Sequence, residues 1–132
     1  MSGGLKKILY VEDDDLIAEL ATMAMEDFGE LAVRHCSCGA EALEAMEDFG
    51  PDLILLDVMM PQMDGLETLR RLRTLPGGEG IPAIFMSARV QTHERDAYIA
   101  EGACGVIAKP FDPLVLADTL REMWAAGLPA SA

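Results

Sequence analysis

Short apolar runs alternate along this chain with longer stretches whose apolar residues recur at helical spacing, an alternation that predicts a parallel sheet covered by helices on both faces. Strands are expected at Lys6 to Val11, Leu31 to Cys36, Asp52 to Asp57, Ala83 to Ser87 and Cys104 to Ala108. Three of them carry continuous apolar strings, Ile-Leu-Tyr-Val, Leu-Ile-Leu-Leu and Ala-Ile-Phe-Met, as strands buried on both faces should. The second is interrupted by Arg34 and His35, which suits a sheet edge, and the fifth is short. With right-handed crossovers, the expected fold class is α/β: a three-layer (βα)5 doubly wound parallel sheet of strand order 2-1-3-4-5.

Helix ends are legible from local chemistry. Asp112 followed by Pro113 reads as an N-cap with proline at the first helical position, after which Leu114, Ala117, Leu120 and Trp124 fall on one face. Asp14 or Asp15 is expected to cap the first helix, and Gly29 and Gly50 to close the first two. The segment Leu75-Pro-Gly-Gly-Glu-Gly-Ile-Pro82 is too rich in breakers for regular structure and reads as the loop before strand four. Met23, Met25 and Met46 read as core filler, and His93 and Tyr98, on the expected fourth helix, as surface and packing residues. The division implied is one domain over residues 1–126 and a linker-like tail over 127–132.

Charge narrows the partners. With 23 acidic against 10 basic residues the formal charge is −13, which repels a phosphate backbone, so direct nucleic-acid binding is not expected. No apolar run approaches the ~20 residues of a bilayer span, and Met1-Ser-Gly-Gly-Leu-Lys-Lys is not followed by the apolar stretch of a secretory signal. A cytoplasmic location is expected. Cys36, Cys38 and Cys104 cannot all pair within one chain and read as small buried hydrophobes, while His35-Cys36-Ser37-Cys38 lacks the second half of a zinc site.

The polar residues that matter fall at the carboxyl ends of the strands, where open parallel sheets bind ligands near the point at which strand order reverses. Strand one ends in Glu12-Asp13, strand three in Asp57, strand four in Ser87 and strand five in Lys109. Carboxylates that converge stay ionised together only if a cation compensates them, and an all-oxygen set with room for water suits Mg2+. With Lys109 and Ser87 on the same edge, the set describes a site for a phosphoryl group, and Asp57 is the central candidate nucleophile, able to form an acyl phosphate.

At these residues the chain resembles the receiver domains of two-component response regulators, chemotaxis regulators among them, over residues 5 to about 125. The resemblance is carried by Ile8-Leu-Tyr-Val-Glu-Asp-Asp14, Leu55-Leu-Asp-Val-Met-Met-Pro-Gln-Met-Asp-Gly65, Phe85-Met-Ser-Ala88 and Ala108-Lys-Pro-Phe111. It implies a flavodoxin-like fold, Asp57 as phosphoacceptor, Asp13 as a direct Mg2+ ligand, Glu12 as a ligand through water and the backbone carbonyl of Met59 completing the protein's share. It further implies that Lys109 contacts the phosphoryl group, that Ser87 turns inward to bond it, and that the bond before Pro110 is cis. The donor would be a histidine kinase or a histidine phosphotransfer protein, and phosphorylation would repack this domain's own face of helix four, strand five and helix five to control a downstream output protein or domain. One position departs: three residues before Lys109, where such domains usually carry tyrosine or phenylalanine, this chain has Val106, which cannot swing as a ring does.

Two rival chemistries are disfavoured by single positions. A phosphatase-like hydrolase with an aspartate nucleophile would want a second aspartate two residues on, where Met59 stands. A nucleotide or flavin binder would want a glycine-rich phosphate loop, and neither common form occurs.

Overall fold

A computed structural model describes residues 4–127. Five strands, β1 (Lys7–Val11), β2 (Ala32–Cys36), β3 (Leu53–Asp57), β4 (Ala83–Ser87) and β5 (Gly105–Ala108), pair in parallel in the order β2-β1-β3-β4-β5. The order expected from the sequence is the order observed. The helices are α1 (Asp15–Met23), prolonged by a π-helical segment (Ala24–Phe28), then α2 (Gly39–Phe49), α3 (Gly65–Leu72), α4 (Thr92–Ala100) and α5 (Leu116–Ala126).

Because successive strand side chains point to opposite faces, each apolar string feeds two cores. Ile8, Tyr10, Leu53, Leu55, Ile84 and Met86 meet α1, the π-helical segment and α5 on one side. Leu9, Val11, Ile54, Leu56 and Phe85 meet α2, α3 and the single apolar contact of α4 on the other. All five residues of β3 and of β4 are buried, which is why neither strand shows alternation in its sequence. Burying one leucine fully stabilises by roughly 1.5–3 kcal/mol, so this doubled core is the main favourable contribution to folding.

Local chemistry sets the helix ends. The Asp14 side chain accepts from Leu16 N and Ile17 N at 3.0 and 3.1 Å and caps α1. Gly50 closes α2 in the left-handed conformation, with φ 60°. Gly29 closes the π-helical segment for a different reason: its φ is −101°, and a Cβ there would run into Ala117 and the Met25 carbonyl.

Four expectations are corrected. Helix α5 starts at Leu116 rather than Pro113, since Asp112 caps only a turn, accepting from Leu114 N at 2.9 Å. Leu114 therefore lies outside the helical phase and is 73% exposed, while Phe111 packs against the core instead. Met23 is 48% exposed, unlike the buried Met25 and Met46, and Cys38 and Cys104 are half-buried where Cys36 is buried. Four strands also begin one residue later than expected; the Asp52 carboxylate, placed in strand three by the sequence, accepts from the Lys6 and Lys7 amides instead. Gly127 ends α5, and the rest of the expected tail lies outside the described residues.

Candidate functional site

The site stands at the carboxyl edge of β1, β3 and β5, beside the reversal in strand order between β1 and β3. Glu12, the residue after β1, has its amide bonded to Cys36 O at 3.0 Å, and Asp57 is the last residue of β3. Strand pairing of β1 with β3, Val11 opposite Leu56, then sets the two acids side by side. Ligand oxygens of Glu12, Asp13 and Asp57 lie within 4.8 Å of one another, the one such group of three or more His, Cys, Asp or Glu among the described residues. Glu12 and Asp57 are buried, while Asp13 is exposed.

Lys109 comes from two strands away. Its amide bonds to Ser87 O at 2.9 Å, which aligns the chain after β5 with the end of β4, and the Lys109–Pro110 bond is cis, as the family resemblance implies. The ammonium reaches back to Glu12 Oε1 at 2.9 Å and Asp57 Oδ1 at 3.0 Å. At an effective dielectric of about 20, a unit charge pair at that range attracts by on the order of 5 kcal/mol before desolvation is counted. Burial by itself would lower the Lys109 pKa, but the bonds to Glu12 and Asp57 outweigh it and raise the ammonium above the ordinary lysine range. Burial raises Glu12 above the ordinary carboxylate range; Asp57 adds to that, and Lys109 offsets part of it. Tyr10, whose hydroxyl lies 3.4 Å from Glu12 Oε1, is likewise pushed upward by burial and then by the Glu12 charge.

These groups open onto a cavity of about 240 Å³ lined also by Asp14, Ile17, Met59 and Ala88. The carboxylate oxygens, within 4.8 Å of one another, are near enough for side-chain adjustment to bring them round a single hard dication. The donor set is hard oxygen throughout and leaves an open side, so the residues present fit that ion. His35 serves differently, with its Nε2 at 2.9 Å from Glu12 O, and burial pushes the Cys36 thiol up to about 11. Neither belongs to a ligating group.

Ser87 is placed next to the site but faced away from it. Its hydroxyl accepts from Arg89 N at 2.9 Å and lies 3.2 Å from Arg89 O and 3.4 Å from the Tyr98 hydroxyl. Tyr98, expected to be a surface or packing residue, is 7% exposed and touches Ser87 directly. The available signal is that Tyr98 carries the one large apolar ring in the string Thr-His-Glu-Arg-Asp-Ala-Tyr-Ile-Ala. Gly65 is a second element whose role only the structure explains. Its amide bonds to Val58 O at 2.9 Å, and a Cβ there would meet the Asp57 carbonyl and lie 3.1 Å from Val58 Cα. The loop after Asp57 closes only over a residue without a side chain.

Comparison with known proteins bears on the family and the fold. The family model of the response regulator receiver domain matches residues 8–121. The transcriptional regulatory protein CseB of Streptomyces avermitilis is 39% identical over 116 residues, 88% of this chain and 48% of that protein. A 14.6 kDa protein from the sodA1 3′ region of Leptolyngbya boryana, of no assigned function, is 37% identical over 115 residues, 87% of both chains. The chain thus spans about half the length of the transcriptional regulator, 48%, and most of the smaller protein, 87%. Among solved structures, the chemotaxis protein CheY4 of Vibrio cholerae superposes with a TM-score of 0.83 at 28% identity, covering 90% of this chain and 98% of that one. A CheY-like receiver domain protein from Methanospirillum hungatei gives 0.79 at 26% identity, over 93% and 96%.

Proposed function

This chain belongs to the response regulator receiver domain family of two-component signalling, and from that premise we propose that Asp57 is the phosphoacceptor of a magnesium-dependent switch. The observation that carries the reading is the Lys109 ammonium seated between Glu12 and Asp57, 2.9 and 3.0 Å away, with Asp13 in the same cluster. Such a set gathers negative charge at one point while keeping a fixed positive charge beside the central carboxylate, the arrangement a transferable phosphoryl group requires.

In the proposed reaction an Asp57 carboxylate oxygen attacks phosphorus in line with the bond to the donor. For a phosphohistidine on a histidine kinase or histidine phosphotransfer protein, the P–N bond breaks, its electron pair stays on the imidazole, and a mixed anhydride forms on Asp57. Small donors such as acetyl phosphate would react by the same displacement. Lys109 holds its charge toward the phosphoryl oxygens, and its raised pKa keeps it protonated at neutral pH. Asp13, Asp57 and the Met59 carbonyl would hold Mg2+, with Glu12 reaching it through water; when bound, the ion neutralises charge that develops on the phosphoryl oxygens. Water attack at phosphorus breaks the Asp57 O–P bond, releases inorganic phosphate and returns Asp57 to a carboxylate, so the domain promotes both its own phosphorylation and its reversal.

The net charge of −13 accords with control of a protein output rather than direct contact with nucleic acid. No helix among the described residues is long and apolar enough to cross a membrane, and the proposal sets the domain, residues 1–126, to work in the cytoplasm beside its phosphodonor.

The test is intact mass after incubation with acetyl phosphate, with and without Mg2+, on the native chain and on Asp57→Asn. One added phosphoryl group is expected, dependent on the metal and absent from the variant. Peptide mapping that places it on another residue would overturn the assignment.

A further inference from the structure

Helix α4 is attached to the domain by one side chain. Of its nine residues only Tyr98 is buried; the rest, including Ile99 at 42% exposure, face outward wholly or in part. The Tyr98 ring lies against Phe85 of β4, with centroids 5.6 Å apart and planes tilted by 57°. Phe85 pairs in register with Val106 of β5, and all three residues share one apolar cluster. A valine at 106 is small enough to leave that place to a ring arriving from the helix.

The hydroxyl of that ring is 3.4 Å from Ser87 Oγ and 3.4 Å from Arg89 O. Ser87 ends β4 and Arg89 lies two residues beyond it, so the anchor of α4 is bonded to the residues on either side of Ala88, which lines the carboxylate cavity. A buried hydroxyl must keep its partners or lose stability. Any movement of Ser87 therefore changes what holds α4.

We propose that Tyr98 is the positioning residue that couples the state of the phosphorylation site to α4, taking the part an aromatic on β5 would otherwise play. The proposal rests on the reading of Asp57 as phosphoacceptor. When Ser87 turns its hydroxyl toward the new phosphoryl group, it leaves Arg89 N and Tyr98 together. The tyrosine then retains Arg89 O as its only one of the two polar contacts, and the one buried anchor of α4 is weakened. The exposed, mostly polar face of the helix is thereby released for a change of partner.

The experiment is amide hydrogen exchange over residues 92–100, paired with intact mass on the same samples, for wild type, Tyr98→Phe and Ser87→Ala, each with Mg2+ and with or without acetyl phosphate. In the wild type, exchange in α4 should rise by about threefold or more on phosphorylation, the effect of losing one hydrogen bond of modest net strength. Tyr98→Phe keeps the ring against Phe85, should accept the phosphoryl group fully, and should show raised exchange before phosphorylation with no further rise after it. Ser87→Ala should show the raised exchange from the start, which tests the contact from its other side. A merely structural tyrosine would loosen α4 equally in both states; a phosphorylation-dependent rise that persists in Tyr98→Phe therefore overturns the coupling alone. No rise in the wild type despite full phosphorylation overturns it as well. Absence of phosphoryl mass in the wild type overturns the coupling together with the phosphoacceptor reading.

Discussion

The strands β1 and β3 and the helix α4 are built on opposite terms. Every residue of β3 and four of the five in β1 are buried, and the acids they carry are fixed by strand pairing and by an ammonium at 2.9 and 3.0 Å. Helix α4 has one buried residue in nine, an N-terminal capping box formed by Gln91 and Glu94, and one shared hydroxyl contact with the site. Chemistry that depends on placing three carboxylates and a lysine to within an ångström needs a support that does not move. A switch needs an element whose attachment is weak enough for one hydrogen bond to matter. The domain puts these two requirements on neighbouring parts of the same sheet.

The largest test of that contrast is chemical. Asp57→Asn removes the attacking oxygen's charge, and phosphoryl uptake by mass should fall from one group to none, whereas Ile99→Ala on α4 should leave uptake unchanged. Next comes packing. Leu55→Ala, at a position with 0% exposure, should cost about 2–5 kcal/mol in urea unfolding. The same measurement on Ile99→Ala should register within about 0.5 kcal/mol, and a comparable loss there would mean that α4 is as firmly seated as the strands.

Lys109→Ala sharpens the electrostatic side of the comparison. It leaves Glu12 and Asp57 buried together without their cation and should lower stability by roughly 2–4 kcal/mol in metal-free buffer. Added Mg2+ should stabilise this variant more than the wild type, as seen in the rise of melting temperature. The alkaline limb is a smaller effect with a definite sign. Because Glu12 and Asp57 hold the Lys109 ammonium above its ordinary range, outweighing burial, its contribution is complete below the unfolded pKa of about 10.4 and is lost as pH rises through the folded value. Thermal melts at pH 9 and pH 11 should therefore fall more steeply for the wild type than for Lys109→Ala.

Much of this architecture was legible in the residues because its causes are local. Continuous apolar strings of strand length mark β1, β3 and β4, and Arg34 and His35 mark β2 as an edge. The start of α5 was misread because Asp112-Pro113 offers good capping chemistry. The chain uses it for a turn, with Val115 at φ −115° and ψ 0°, and enters the helix three residues later. The role of Tyr98 was missed for another reason. Its neighbours along α4 carry no apolar stripe, and nothing in a sequence records that a hydroxyl eleven positions after Ser87 folds back onto it.

What the sequence determined by itself was the set of strands, their order through the handedness of crossovers, and the identity of the acids, the hydroxyl and the lysine at the strand ends. Only the tertiary structure decided that the Lys109 ammonium sits between Glu12 and Asp57, that Ser87 faces Arg89 and Tyr98, and that α4 hangs from one ring. Periodicity and capping act over a few residues and leave their trace in the string of letters. Coulomb attraction and hydrogen bonding act over a few ångströms, between segments 97 residues apart in the case of Glu12 and Lys109, so they exist only once the sheet has brought its strand ends together.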